Sequence, residues 1–121
     1  MVGAHYTWPY PAGLQQRQGE RLAALLDQHP PERLILTGDF NSTPWSFTRR
    51  RQDRRFGLVR RTRGVFSWPS RLPVGRIPSP APFLPIDHVF AGRAWTTLSI
   101  ERGPKLGSDH YPVVAVMALT S

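Results

Sequence analysis

Leu34-Ile35-Leu36-Thr37-Gly38-Asp39-Phe40-Asn41-Ser42-Thr43-Pro44 is the stretch whose reading decides the fold. An apolar run of β type meets a glycine, and two short polar side chains, Asp39 and Asn41, follow two residues apart before a Ser/Thr-Pro turn. This is a strand that delivers polar groups at its carboxyl end. If the backbone stays extended through Phe40, the period of two puts Asp39 and Asn41 on one side while Phe40 turns into the core. A carboxylate beside a carboxamide can hold a metal or a water while also donating to an anionic oxygen.

Outward from this strand, the pattern from Leu14 to His29 is helical, with Leu22, Leu25 and Leu26 as its apolar stripe and Pro30-Pro31 as its stop. The strand itself covers Arg33 to Thr37, and a helix leading at once into a buried strand suggests an α/β sandwich layer. Met1 to Thr7 ends another strand, followed by a loop at Trp8-Pro9-Tyr10-Pro11. Thr43 before Pro44 predicts a helix N-cap, with the helix running to about Arg51. Val65 to Trp68 is a candidate strand, and Pro69 to Pro85 is a long irregular loop. Ile86–Phe90 and Trp95–Ile100 are expected to pair antiparallel across Ala91-Gly92-Arg93. Gly103 to His110 is a polar loop, and Val113 to Leu119 closes the chain as an apolar, buried strand.

At 121 residues the chain is one small domain or a piece of a larger one. The formal charge is +8, and Lys105 is the only lysine, so the excess is arginine. Guanidinium forks favour planar anions, which fits nucleic acid, anionic lipid or a phosphorylated small molecule. Arg49, Arg50, Arg51, Arg54, Arg55, Arg60, Arg61 and Arg63 carry much of that charge, and this region is either a solvated basic surface or a grip for phosphates. Phe56, Phe66 and Trp68 could stack on bases, or belong to the core. Without cysteine there are no disulfides and no thiolate metal sites. No apolar run reaches membrane-spanning length, and no signal peptide is legible.

Three further polar clusters sit at strand ends: His5, Asp87 within Pro85-Ile86-Asp87-His88-Val89, and Ser108-Asp109-His110. Each alone has an ordinary reading as a surface residue, a turn cap or a solvated loop. Together, Gly-Asp-Phe-Asn, Ile-Asp-His-Val-Phe and Gly-Ser-Asp-His-Tyr-Pro-Val resemble the endonuclease/exonuclease/phosphatase superfamily, the metal-dependent phosphodiesterases of DNase I type. Trp-Pro before the helix and Phe66-Ser67-Trp68-Pro69 resemble its bacterial members often attached to membrane-spanning segments, which leaves the localisation open between cytoplasmic and membrane-tethered.

The resemblance implies an α/β fold, half of a DNase I-like four-layer sandwich of mostly antiparallel sheet with flanking helices. It implies metal-dependent phosphodiester hydrolysis with Mg²⁺ or Mn²⁺. Asp39 would position the attacking water and hold metal, and Asn41 would contact both metal and scissile phosphate. Asp109 would be a metal ligand or near-ligand. His110 would stabilise or protonate phosphate oxygens with Asp87 orienting its ring, and His5 would be the second phosphate-facing histidine. Trp68 and Arg49 complete the expected substrate contacts, and His88 is structural. The family's first half supplies an asparagine and a metal-binding glutamate with no counterpart here, so residues 1–121 correspond to its second half. With each half contributing one sheet, an inner face of Ile35, Val89, Val114 and Val116 type would be uncovered and the chain would self-associate. The competing function is a catalytically silent module that binds nucleic acid or phosphate.

Overall fold

The computed structural model describes residues 1–8, 13–71 and 81–120. Its elements are β1 (Val2–His5), α1 (Leu14–Leu26), a 3₁₀ turn (Pro31–Arg33), β2 (Ile35–Asp39), α2 (Phe47–Phe56), β3 (Val59–Arg60), β4 (Asp87–Ala91), β5 (Trp95–Arg102) and β6 (Val113–Leu119). They form a four-stranded sheet in the order β1-β2-β4-β3 and a separate two-stranded sheet of β5 and β6. The β1–β2 pair is parallel and the others are antiparallel. No helix among the described residues is long and apolar enough to cross a membrane.

Alternation in the strands assigns the two faces of the larger sheet. Leu36, Phe40 and Phe90 are fully buried and meet Leu22, Ala23, Leu26 and Phe56 of the helices, while Tyr6 and Leu58 close the same core. Fully burying each large apolar side chain contributes about 1.5–3 kcal/mol. Ile35, Thr37 and Val89 face the other way, toward Trp95, Val113, Ala115 and Met117 of the smaller sheet across a cleft of about 310 Å³. The chain therefore supplies strands to both sheets of a sandwich rather than one sheet alone. Ile35 and Val89 line the cleft, whereas Val114 and Val116 are exposed on the outer side.

Several local expectations change for physical reasons. Leu25 is exposed, and the buried face of α1 is Gln15, Gly19, Leu22, Ala23 and Leu26. The helix expected at Pro44 starts later, because Thr43 to Ser46 first makes a turn and Ser46 is the N-cap, accepting from the Arg49 N–H at 3.2 Å. It then runs past Arg51 to Phe56, since arginine and glutamine are good helix formers, and ends at left-handed Gly57 with φ 67°. Val65–Trp68 is no strand beyond a bridge from Trp68 to Leu84. β4 does not pair with β5, because β2 and β3 already occupy both its edges. β6 is a strand but only half covered, since no layer among the described residues lies on its outer side. Much of the expected Trp8–Pro11 and Pro69–Pro85 loops lies outside the described residues.

Three arginines of the run, Arg49, Arg60 and Arg61, are structural, whereas Arg50, Arg51, Arg54, Arg55 and Arg63 are exposed. Arg49 occupies the sheet-facing side of α2 with Gln52 and Phe56, and its side chain is fully buried. Its guanidinium lies 4.6 Å from the centre of the Phe40 ring and 5.3–5.6 Å from those of Tyr6, Phe56 and Phe90. Arg49 Nε donates to Asp53 at 2.8 Å, and Arg60 donates to the other oxygen of the same carboxylate. Arg49 is thus a core cation held by ring faces, worth about 2 kcal/mol when desolvated, and not a substrate contact. Arg61 joins the two sheets through Thr97 Oγ1 at 2.9 Å and the carbonyls of Gly92 and Trp95 at 3.2 and 3.1 Å. Arg55 ties α2 to Asp27 at the end of α1.

Two buried polar groups allow direct tests. Gln15 donates from Nε2 toward the carbonyls of Thr7, Phe40 and Asn41, at 2.8, 3.1 and 3.2 Å. Gln15→Leu strands those acceptors and is expected to cost about 1–3 kcal/mol in urea unfolding; unchanged stability would contradict this. His88 donates from Nε2 to the Ser42 carbonyl at 2.8 Å, and its Nδ1 is buried without a partner among the described residues. Burial, with the Arg60 charge second, lowers its pKa from 6.5 to about 3. The unfolded imidazole takes up a proton before the folded one does, so stability present above pH 6.5 is lost as pH falls toward 3. The ¹⁵N NMR shifts of His88 should keep the neutral Nε2–H pattern through that window, and a protonated ring midway would refute the assignment.

Candidate functional site

The larger sheet places three polar residues in one row. His5 of β1 is the register partner of Asp39 in β2, and Asp39 is in turn the partner of Asp87 in β4. β1 and β2 run parallel and both end there, while antiparallel β4 begins there, so all three sit at one end of the sheet. Alternation turns them to the face opposite Leu36 and Phe90. The row requires a close approach at Gly38, where a Cβ would stand 1.8 Å from the Ala4 carbonyl oxygen.

The loop before β6 brings the fourth group. His110 Nδ1 donates to Asp87 Oδ2 at 2.8 Å, and His110 Nε2 stands 3.5 Å from Asp39 Oδ2. His5 Nε2 approaches the same Asp39 oxygen at 3.6 Å from the solvent side. One carboxylate oxygen is therefore flanked by two imidazoles. His110 is only 25% exposed and held by Asp87, whereas His5 is 79% exposed. The Asp87 hydrogen bond, followed by carboxylate charges, raises the pKa of His110 against the opposing effect of burial. Burial raises the pKa of Asp39, offset in part by the Asn41 N–H.

Asn41 departs from the extended geometry the sequence predicts. β2 ends at Asp39, and Asn41 takes a left-handed φ of 47°. Its N–H donates to Asp39 Oδ1 at 2.9 Å, and its buried Nδ2 donates to the Tyr6 carbonyl at 2.6 Å. Asn41 thus fixes the Asp39 carboxylate and ties its loop to the end of β1. A cleft of about 300 Å³ opens beside it, with Trp8 and Phe47 among its lining residues.

Asp39, Asp87 and His110 each offer a ligand atom within 4.8 Å of the others. Asp109 lies outside this group. It is exposed, and its Oδ2 accepts from Trp68 Nε1 at 3.3 Å. Trp68 also contacts the rings of Trp8 and Phe83, at centroid distances of 5.7 and 6.1 Å, so it stands beside the 108–111 loop. Within the cluster, Asp87 Oδ2 is engaged by His110 and Ser67, while Asp39 Oδ2 faces the two imidazoles at 3.5 and 3.6 Å. Two carboxylates and an imidazole suit a divalent cation.

Ser67 escaped the sequence reading. Its fully buried hydroxyl donates to Asp87 Oδ2 at 2.5 Å, and its carbonyl accepts from the Tyr111 N–H at 2.7 Å. Ser70 adds bonds from its N–H to the Asp109 carbonyl and from its hydroxyl to the Ser108 carbonyl, both 2.7 Å. Residues 67–70 therefore strap the loop that carries His110. A lone serine in Phe-Ser-Trp-Pro carries no signal for this, since nothing local connects it to Asp87.

Solved structures share this fold. An endonuclease/exonuclease/phosphatase from Bacteroides vulgatus aligns with a TM-score of 0.64 at 21% identity, over 88% of this chain and 44% of that one. A conserved protein of unknown function from Enterococcus faecalis V583 aligns with a TM-score of 0.64 at 18% identity, over 98% of this chain and 49% of that one. The chain spans about half the length of the solved structures it matches. No curated protein matches it in sequence. The architecture described above is that of half a DNase I-like sandwich. Residues 2–110 match the Endonuclease/Exonuclease/phosphatase family, whose members are generally hydrolytic and typically depend on a divalent metal, and the chain belongs to that family.

Proposed function

We propose that this chain carries the acid, base and orienting groups of a phosphodiester hydrolase dependent on Mg²⁺ or Mn²⁺. The observation that carries this reading is the His110 ring, bonded to Asp87 through Nδ1 while Nε2 points toward Asp39. A carboxylate behind an imidazole fixes its tautomer and favours the cation, so Nε2 presents a proton to an anionic oxygen. Asp39, with its raised pKa, accepts a proton from water as that water attacks phosphorus. As the P–O bond to the leaving group breaks, the His110 Nε2 proton passes to the departing oxygen. His5 reaches the same space as a mobile second donor. A divalent ion held at Asp39 would neutralise charge on the nonbridging oxygens. Asn41 and Asp109 would contribute as substrate and metal contacts after local rearrangement, and Trp68 as a wall. The cleft beside Asn41 is suited to the organic part of the ester.

The alternative, a catalytically silent phosphate-binding module, has Arg49, Arg60 and Arg61 spent inside the fold and keeps Arg50, Arg51, Arg54, Arg55 and Arg63 exposed, so turnover is what separates it from the hydrolase. The test is hydrolysis of bis(p-nitrophenyl) phosphate and of supercoiled plasmid with Mg²⁺ and with Mn²⁺. Turnover should require metal and fall about 100-fold or more in both Asp39→Ala and His110→Ala. Mn²⁺ should also broaden NMR signals around Asp39, and less so in Asp39→Ala. Turnover that survives chelator or either substitution, or plasmid retention with steep salt dependence and no turnover, would overturn the proposal.

A further inference from the structure

α2 has two faces. Arg49, Gln52 and Phe56 are buried toward the four-stranded sheet, whereas Phe47, Arg50, Arg51, Arg54 and Arg55 are exposed on the opposite side. The helical period gathers these five into one stripe. Asp53, the only acid of the helix, is turned inward to Arg49 and Arg60. Arg55 is paired with Asp27, while among the described residues Arg50, Arg51 and Arg54 form no ion pair. Like charges at this spacing repel, and an anion lying along the stripe relieves the repulsion. The helix packs on the face of the sheet away from β5 and β6, so its outward side is independent of what those two strands meet.

The stripe starts at the candidate site. Arg49 packs on Phe40 beside Asp39, while Phe56 packs on Phe90, farther along β4 from Asp87, so α2 runs away from the site end of the sheet. Phe47, its first residue and 80% exposed, lines the cleft beside Asn41 with Trp8, which is 57% exposed. Among the described residues no charged side chain lines that cleft. The Arg50 guanidinium lies 4.9 Å from the centre of the Phe47 ring, where the neutral cleft gives way to the row of cations.

We propose that the outward face of α2, from Phe47 to Arg54, is a docking track for a single-stranded polynucleotide. The assignment deepens the hydrolase reading and rests on it for direction: the scissile phosphate at Asp39, a neighbouring base in the cleft against Phe47, and the following phosphates on Arg50, Arg51 and Arg54. A nucleotide strand alternates aromatic faces, which stack on aromatic side chains, with phosphates, which take guanidinium forks. The surface offers the same two chemistries side by side. A duplex keeps its bases stacked inside and has none free for the cleft. An anionic membrane calls for apolar side chains along the contact, and beyond Phe47 the stripe carries only arginine.

Fluorescence anisotropy of a labelled oligothymidylate, measured in chelator so that nothing is cleaved, should show binding that weakens steeply with salt. Arg50→Gln, Arg51→Gln and Arg54→Gln together should weaken it about tenfold and lower the slope of log affinity against log salt by about 2. Arg54→Gln alone should lower the slope by about 0.7, whereas Arg93→Gln, exposed beyond the far end of β4, should change neither quantity. Phe47→Ser should cost about fivefold in affinity or more with the slope kept. Circular dichroism should match the wild type throughout, since every substituted side chain is exposed. Equal slopes in the triple variant and Arg93→Gln would overturn the proposal. So would a duplex bound as tightly as the single strand, or phosphatidylglycerol vesicles that hold the chain through these arginines while the oligonucleotide does not bind. Metal-dependent turnover of bis(p-nitrophenyl) phosphate, too small to reach the stripe, should be unchanged in the triple variant, while KM for the oligonucleotide rises with kcat kept. The expected slopes without turnover of either ester would overturn the hydrolase reading and keep the docking surface; turnover of the small ester with unchanged slopes would do the reverse.

Discussion

Everything at the candidate site depends on β2 being paired on both sides in a register that puts His5, Asp39 and Asp87 in one row. That register is a matter of backbone hydrogen bonding and close packing. β1 can lie against β2 only because residue 38 has no Cβ, since a Cβ there would overlap the Ala4 carbonyl. A slip of one residue would turn Asp39 into the core and Leu36 toward the cleft. Burial of Leu36, Phe40 and Phe90 under the helices opposes any such slip, so packing on one face of the sheet sets chemistry on the other.

The core beneath the site is polar to an unusual degree. Arg49 lies among four aromatic rings, Asp53 links it to Arg60, and Gln52 connects Tyr6 with Gln15. Gln15 then holds the backbone at Thr7, Phe40 and Asn41. A buried ion pair contributes little net stability compared with a well-packed apolar alternative, but each of these bonds has a preferred direction. The network locks two loops against each other at the end of the sheet. Geometry at Asp39 and Asn41 is thereby set by side chains on the helices as well as by the strand that carries them.

The two imidazoles at Asp39 differ in what holds them. His110 has Asp87 and, through it, Ser67; its ring orientation is fixed before any ligand arrives. His5 has one distant carboxylate and solvent. A preorganised donor stabilises developing charge without reorganisation, whereas a mobile one must first be ordered. In the proposed mechanism this asymmetry suits His110 to protonating the leaving oxygen and His5 to an ancillary contact.

From sequence alone, the strand read at Arg33 to Thr37 and found two residues later at Ile35–Asp39, the helix after Leu14, the structural role of His88 and the family were legible, because periodicity, a glycine and ordered polar motifs are local signals. The grouping of His5, Asp39, Asp87 and His110 followed from the motifs' resemblance to that family, although no spacing along the chain states their distances. Other features were decided only in three dimensions. Arg49 reads as surface charge among its neighbours until α2 is seen to turn it into an aromatic cage. Asp109 adjoins His110 in sequence, yet its side chain points to Trp68. Ser67 serves Asp87 twenty residues away. β4 and β5 follow one another like a hairpin but part into two sheets, because β4 had no free edge left to offer. Local pattern specifies which residues want to be strand or helix; competition for edges and for buried volume specifies their partners.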